Sequence, residues 1–413
     1  MARNLKKLFA QIQSIPRHEG LCRGSLYPAL STLRHGVYSA RMKKQTPPKP
    51  AKPPRTTTKK SLHIAVVGAG MAGIACARTL MQAGHRVMVF EKSKGLGGRM
   101  STCSTPFGGF DHGAQYFTVR DARFAKALET APGLVKPWSA NSVRVLDDRG
   151  RVVSAGLPAR EPHFVATPGM NSLVRHWAQP LVLANAVHLQ TQVSMIERDA
   201  LNPACWQLRT VGNDDERHVY PGFDAVMLAI PHVQALDLLQ KFQLESQGPS
   251  AAVTDFIDSM TPVQVAPCWT AMLAFPQALQ PSMSHLGPQW NAARSTHHRI
   301  AWVARESSKP GRVAIERWTV QASAEWSKEH LEDDAPRVLA KLQRAFAELT
   351  GIRAEPAHAE AHRWRYAKTE QSMDTSHLWS AHEGLGVCGD WCLGHRVENA
   401  FVSGLELALA VHG

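Results

Sequence analysis

Residues Leu62 to Val67 form a short, apolar, β-branched run that ends abruptly at Gly68-Ala69-Gly70-Met71-Ala72-Gly73. A run of that length without polar alternation predicts a strand buried on both faces, as in a parallel sheet covered by helices. The spacing after the glycines predicts a helix over 71–83, closed by Gly84, and Arg86 to Phe90 predicts a second strand. The same unbroken apolar pattern returns at Phe223 to Ile230, where Pro231-His232 stops it before a helix over 233–241. Between these blocks, strand-like pieces fall at 143–146, 151–153, 187–196 and 205–211, with a helix-like segment from Gly169 to Gln179. Further on, strands are expected over 263–275, 299–305 and 312–320, and a helix pair over 323–331 and 335–350. A last apolar strand ends at Gly389-Asp390, and an apolar-periodic helix starts near Glu398 and runs to about Val411. Strands alternating with helices in this way predict an α/β protein.

The glycines at the end of the first strand follow G-x-G-x-x-G. In that pattern the first glycine allows the tight turn, the second lets backbone amides approach a pyrophosphate, and the third lets the helix pack closely on its strand. Glu91 closes the second strand, where an acidic residue binds a ribose hydroxyl. Strand, helix, strand and acid in register point to a dinucleotide, with the positive end of the helix facing its phosphates. After Lys92 comes a second glycine turn, Gly95, Gly97 and Gly98, followed by Arg99, whose guanidinium suits a phosphate. The segment from Phe110 to Phe117 carries polar residues where a redox ring is covered, and a structural hydrogen bond explains Asp111 and His112 better than an acid/base pair does. Asp390, at a strand end just before a helix N-terminus, suits the other half of a cofactor clamp. NAD seldom needs the last strand and helix of so long a chain, whereas FAD is long enough to use both ends, so FAD is the expected cofactor, bound noncovalently. Trp269, Trp302, Trp318 and Trp364 suit a flat ligand collectively and the core individually. Arg305-Glu306-Ser307-Ser308 and Ser323-Ala324-Glu325-Trp326 read as turn and capping chemistry.

Composition adjusts this picture in three places. The formal charge of +13 lies wholly in residues 1–60, where fourteen Lys and Arg face Glu19 alone; beyond them 33 basic and 33 acidic residues balance. The remainder has no global basic field, which argues against nucleic acid as a partner. The leader 1–60 ends in TPPKPAKPPRTTTKK and is expected to stay disordered, either as an organelle transit peptide or, if translation starts at Met42, as a short solvated arm. Seven cysteines without regular spacing suggest a reducing compartment, and Cys388 with Cys392 lacks a second pair for zinc, so no metal is expected. No run of 18 apolar residues predicts a membrane span, and a cytoplasmic location is expected unless the leader is a transit peptide.

The fingerprint together with GLGGRM at 95–100, FDHGAQYFT at 110–118, HRWRYA at 362–367, CGDW at 388–391 and RVENAFVSG at 396–404 closely resembles the renalase-like branch of the flavin amine oxidase superfamily. The resemblance covers residues 62–413. It implies a p-hydroxybenzoate-hydroxylase-like fold, a Rossmann-type FAD-binding domain with an inserted mixed-sheet substrate domain. The corresponding segments are 61–135, 221–245 and 381–413 for FAD, 136–220 as the insertion and 246–380 as the substrate domain. Carried over residue by residue, Gly68, Ala69, Gly70, Met71, Ala72 and Gly73 line the pyrophosphate, Glu91 and Lys92 the adenosine ribose, and Gly98 with Arg99 the phosphate and ribityl side. Val193 lies by the adenine, Gln115 and Tyr116 by the isoalloxazine, and Asp390, Val397 and Asn399 by the ribityl chain and pyrimidine edge. Catalytic side chains are not identified, since flavin N5 carries the chemistry; Gln115, Tyr116, Trp364 and Trp391 are the ring-facing candidates. The implied reaction takes a hydride from an isomeric dihydronicotinamide of NAD(P) and passes the electrons to O2. Two alternatives remain open: a flavin amine oxidase or desaturase, and an FAD-binding protein without turnover of its own or a NAD-linked dehydrogenase.

Overall fold

The opening strand, His63–Val67, is an inner strand of a six-stranded sheet whose order is His377–Ser380, Leu385–Cys388, Ala225–Leu228, His63–Val67, Arg86–Phe90 and Val187–His188. The computed structural model describes residues 60–138, 143–154, 161–245, 250–279 and 290–413, so the expectations for the basic leader lie outside the described residues. All pairings in this sheet are parallel except that of His377–Ser380 with its neighbour. Successive side chains of a strand point to opposite faces. Ile64 and Val66 accordingly pack with the helices Met71–Gln82, Asn171–Leu183 and Val397–His412, while Ala65 and Val67 pack with His232–Glu245 and Ala251–Met260. Cover on both faces is why the sequence is unbroken apolar here rather than alternating.

The second large sheet is mixed, with seven strands in the order His358–Gln371, Gln264–Phe275, Glu316–Ala322, Ile300–Arg305, Ala292–Ser295, Val143–Leu146 and Val152–Ser154. Ala271, Leu273 and Phe275 face the helix Ala335–Thr350, whose Leu342, Phe346 and Leu349 fill the space beneath. On the opposite face Met272 and Ala274 meet Phe110, and Gln321 donates to the Gly113 carbonyl at 2.7 Å. That face covers the segment 108–117, which is how the sheet comes to shape the site.

Within residues 136–220 the described residues contribute to four sheets, one of them the two-stranded pair of His163–Ala166 with Val135–Trp138. Val143–Leu146 and Val152–Ser154 extend the seven-stranded sheet, Val187–His188 forms an edge of the six-stranded one, and Thr191–Arg198 and Trp206–Gly212 belong to a separate antiparallel trio completed by Arg217–Phe223. The single strand expected over 187–196 is broken at Gln190, whose φ of 55° turns the chain from one sheet into the other. The strand expected over 312–320 begins instead at Glu316, after a turn through Gly311 with φ 73°.

The closing helix presses on the first one so tightly that a Cβ at Gly404 would stand 2.1 Å from the Ala72 carbonyl oxygen. Gly404→Ala is therefore expected to destabilise the fold by about 1–3 kcal/mol, the usual cost of overpacking. Gly95→Ala, in open space, should shift a thermal melt by no more than about 0.5 kcal/mol; equal melting of the two variants would contradict the helix contact.

Candidate functional site

The three fingerprint glycines do separate jobs. Gly68 has φ 106° and a Cβ there would lie 2.5 Å from Ala229 O, while a Cβ at Gly73 would lie 1.9 Å from Gly68 O. Both are demanded by packing. Gly70 meets only the Gly98 backbone, at 3.9 Å, and otherwise faces open space at the N-terminal end of the helix Met71–Gln82. An open backbone cradle beside unpaired first-turn amides is what a pyrophosphate requires. Met71 and Ala72 have buried side chains, so only their main chain faces the cradle. Glu91 is buried at the end of the second strand, its two oxygens accepting from Ala69 N and Ser93 N at 2.8 Å each. Thr191 N donates to Glu91 O at 2.9 Å, which brings Val193 against Phe90 at the same edge. Lys92 is exposed.

The far end of the chain reaches this loop through Arg99. Its guanidinium forks onto Asp390, one arm donating to Oδ2 at 2.9 Å and the other to Oδ1, and it also reaches Ala367 O at 3.4 Å. Arg99 is thus taken up by a carboxylate 291 positions away rather than standing free for a phosphate. Trp391 lies in the core with its Nε1 donating to Ile230 O at 3.0 Å, so it buttresses the Gly389 turn and lines no open cage. Asn399 donates to Leu393 O and Gly394 O at 2.8 and 3.1 Å, fixing the loop ahead of the helix Val397–His412. The amides of Val397, Glu398 and Asn399 have no acceptor within that helix and form its positive end. Glu398 lies in the first turn, where its charge would oppose that potential, yet its Oε1 is engaged by the Arg120 and Asp121 amides at 2.6 Å each.

Segment 110–117 lies against the second glycine turn, with Ala114 N donating to Arg99 O at 2.8 Å and Gly113 so close that a Cβ would stand 2.0 Å from the same oxygen. Trp364 donates from Nε1 to His112 O at 2.9 Å and stacks on the His112 ring at 5.2 Å, with His362 edge-on to both. Burial, with the neighbouring His362, pushes His112 down to about 4, so this aromatic wall is uncharged at neutral pH. Gln115 is buried and fully engaged: its amide nitrogen donates to Asp111 O and Gly113 O, and its oxygen accepts from Lys309 Nζ at 3.2 Å. Tyr116 instead sits in an aromatic group with His163, Trp302 and Trp138.

Beneath this segment is a buried ionic knot that the sequence reading missed. Asp111 accepts from Thr102 Oγ1 at 2.7 Å, Met170 N at 2.9 Å, Lys309 Nζ at 3.1 Å and Arg312 Nη2 at 2.5 Å, and Lys309 also donates to Glu306 at 2.8 Å. Glu306 belongs to the turn expected there, but Lys309 and Arg312 flank Pro310-Gly311 and give no pattern that points to a buried partner some 200 positions away. Burial alone would raise the Asp111 carboxyl; Lys309 and Arg312 outweigh it and hold the group below the usual carboxylate range. Among the described residues no group of three or more His, Cys, Asp or Glu is arranged to hold a metal, and no helix is long and apolar enough to cross a membrane.

A model of an NAD(P)-binding Rossmann-like domain matches residues 66–129, and the model of the flavin containing amine oxidoreductases matches residues 152–412. The chain belongs to the flavin containing amine oxidoreductase family. FAD is its cofactor, and the open Gly70 cradle and the buried Glu91 fit the pyrophosphate and adenosine portions of that molecule. Curated proteins similar to this chain match it over short stretches. Flavin-containing monooxygenase FMO GS-OX-like 5 of Arabidopsis thaliana is 51% identical over 45 residues, 11% of this chain, and L-amino acid oxidase Cdc18 of Crotalus durissus cumanensis is 49% identical over 47 residues, also 11%. The chain spans about a tenth of the length of those relatives: 10% of the first and 9% of the second. Among solved structures, a putative protoporphyrinogen oxidase from Exiguobacterium sp. 255-15 is similar with a TM-score of 0.63 at 13% identity, and cyclohexylamine oxidase from Brevibacterium oxydans IH-35A with 0.59 at 12%. Each likeness covers 86% of this chain and 99% of the other, and shows a shared fold.

Two variants probe this geometry. Glu91→Ala removes the acceptor for two loop amides and should weaken FAD at least about tenfold, ~1.4 kcal/mol, read as the flavin retained after gel filtration. Asp111→Asn leaves Lys309 and Arg312 short of a countercharge and should cost about 3–5 kcal/mol at neutral pH. Because the folded pKa lies below the unfolded value of about 3.9, the wild-type contribution is complete above that pH and is lost as pH falls through the folded value. Urea midpoints of the variant should accordingly depend less on pH in that acid range than those of the wild type.

Proposed function

We propose that the protein is a renalase-like FAD-dependent oxidase, which takes a hydride from an isomeric dihydronicotinamide of NAD(P) and passes the electron pair to O2. In this reading the FAD-binding part is assembled from residues 61–135, 221–245 and 381–413, with 136–220 and 246–380 forming the substrate side. Gly68 to Gly73 lie along the pyrophosphate, Glu91 and Lys92 at the adenosine ribose, Val193 at the adenine, and Gly98, Arg99, Asp390, Val397 and Asn399 along the phosphate, ribityl and pyrimidine portions. When bound, FAD would supply a two-electron acceptor, and the pair, with two protons, would reduce O2 to hydrogen peroxide.

The observation that carries this reading is the uncharged planar wall beside segment 112–117, the His112 ring stacked on Trp364. Asp111, Gln115 and Lys309 are each committed to partners, and His112 stays neutral behind Trp364. A dihydronicotinamide gives up a hydride without first losing a proton, so it needs alignment and a dry wall rather than a base. The His112–Trp364 stack offers an uncharged planar surface, and the main-chain bond from Ala114 to Arg99 holds the segment in register. The first-turn amides of the closing helix offer positive potential, with the Glu398 oxygen engaged by Arg120 and Asp121. The family's description favours a second reading, oxidation of an amine.

Anaerobic mixing separates the two. The 2- or 6-dihydro isomers of NAD(P) should bleach the flavin absorbance faster than benzylamine or a polyamine. Bleaching by the amines without bleaching by the nicotinamides would establish the amine reading.

A further inference from the structure

We infer that Glu398 lowers the electron affinity of the bound flavin, by holding a carboxylate without an ion-pair partner at the positive end of the closing helix Val397–His412. This rests on the placement of that helix along the flavin given above, and not on the choice of substrate.

Three contacts bring the start of this helix to the cofactor site. Gly404 seats it on Ala72, beside the Gly70 cradle, where a Cβ would stand 2.1 Å from the Ala72 carbonyl oxygen. Ser403 Oγ accepts from Gly389 N at 2.8 Å, which ties the helix to the turn that carries Asp390. Glu398 reaches the other way, to the Arg120 and Asp121 amides just past the end of segment 110–117. The first helical turn thus lies among the glycine fingerprint, the Arg99–Asp390 fork and the ring-end segment.

Glu398 is only 4% exposed, and the two bonds to its Oε1, 2.6 Å each, come from main-chain amides. No ion pair engages it among the described residues; the Arg120 guanidinium turns outward and forks Glu161 instead. The other buried acids near the ring end differ, since Asp111 is met by Lys309 and Arg312 and Asp390 by Arg99. Amide dipoles solvate a carboxylate without cancelling its unit charge, and in a dry interior that charge is felt more strongly than at a surface. The helix has no side-chain cap, so the amides of its first turn keep their partial positive charge, about half an elementary charge in sum. A full negative charge in the same turn is large enough to offset it. Two-electron reduction leaves negative charge on the pyrimidine edge of a flavin, so the field there decides how readily the ring takes electrons. The same two bonds are open to a neutral glutamine, whose oxygen also accepts, and bonding alone therefore does not account for the charge.

The test uses the flavin-loaded protein and no substrate. Sulfite adds through its sulfur to N5 of an oxidised flavin and leaves the ring anionic, so its dissociation constant reads the same field as the midpoint potential. Both are measured for wild type, Glu398→Gln and Arg396→Gln with FAD in excess. Glu398→Gln keeps the two amide bonds and removes the charge; it should retain FAD, tighten sulfite about tenfold and raise the potential. Arg396→Gln removes a positive charge just ahead of the same helix and should shift both quantities the opposite way. A shift in Arg396→Gln with none in Glu398→Gln, or weaker sulfite binding by Glu398→Gln, overturns the role of Glu398 and leaves the placement of the helix standing. No shift in either variant overturns placement and role together. Loss of FAD from Glu398→Gln also overturns the role, because the glutamine was to hold the site and change only its charge. The nicotinamide reading is untouched by these outcomes, since the bleaching comparison decides it separately.

Discussion

Main chain pressed directly against main chain is the constraint on which the rest of this molecule depends. Gly73 lets the first helix sit on the turn of the first strand, Gly404 lets the last helix sit on the first, and Gly113 lets the ring-end segment sit on Arg99. Any Cβ at these places would meet a carbonyl oxygen at about 2 Å (1.9, 2.1 and 2.0 Å respectively). The cofactor site exists because segments near residues 70, 113 and 400 are held at that range, and the Arg99–Asp390 fork then adds directional bonding to contacts that sterics already permit.

Electrostatics around the site follow a division of labour. The deeply buried charges, Asp111, Glu306, Lys309 and Arg312, are spent on one another beneath segment 110–117. Desolvation makes an unpaired charge expensive there, and the knot positions Gln115 and its neighbours. Histidines nearer the surface, His112 and His163, are driven neutral chiefly by burial, and they present ring surface rather than charge. Positive charge is placed instead where water can reach it, on Arg294 and Arg396, and in the unpaired amides at the end of the closing helix.

The parts of the fold that were legible in the sequence are those governed by local periodicity. The first strand, its glycine turn, the helix after it, the second strand and the helix Ala335–Thr350 fall within a residue or so of where the apolar pattern puts them, and the return strand Ala225–Leu228 is two residues shorter at each end than its apolar run. Trp269 and Trp318 went to the core, the fate expected of each singly. Sheet membership within 136–220 was not legible, because a two-residue strand such as Val187–His188 carries too little pattern to reveal its partner.

What the sequence determined by itself was therefore the dinucleotide floor, since strand, turn, helix and acid lie within one continuous stretch and their chemistry is read from spacing. What only the tertiary structure decided was how side chains far apart in sequence spend their hydrogen bonds. Arg99 looked free for phosphate and is forked by Asp390; Gln115 and Trp391 looked ring-facing and are consumed by Lys309, Ile230 and backbone carbonyls. Lys309 and Arg312, which read as an ordinary turn, underpin the whole segment. A side chain's partner across some 200 residues depends on which faces the sheets bring together, and local spacing carries no trace of that choice.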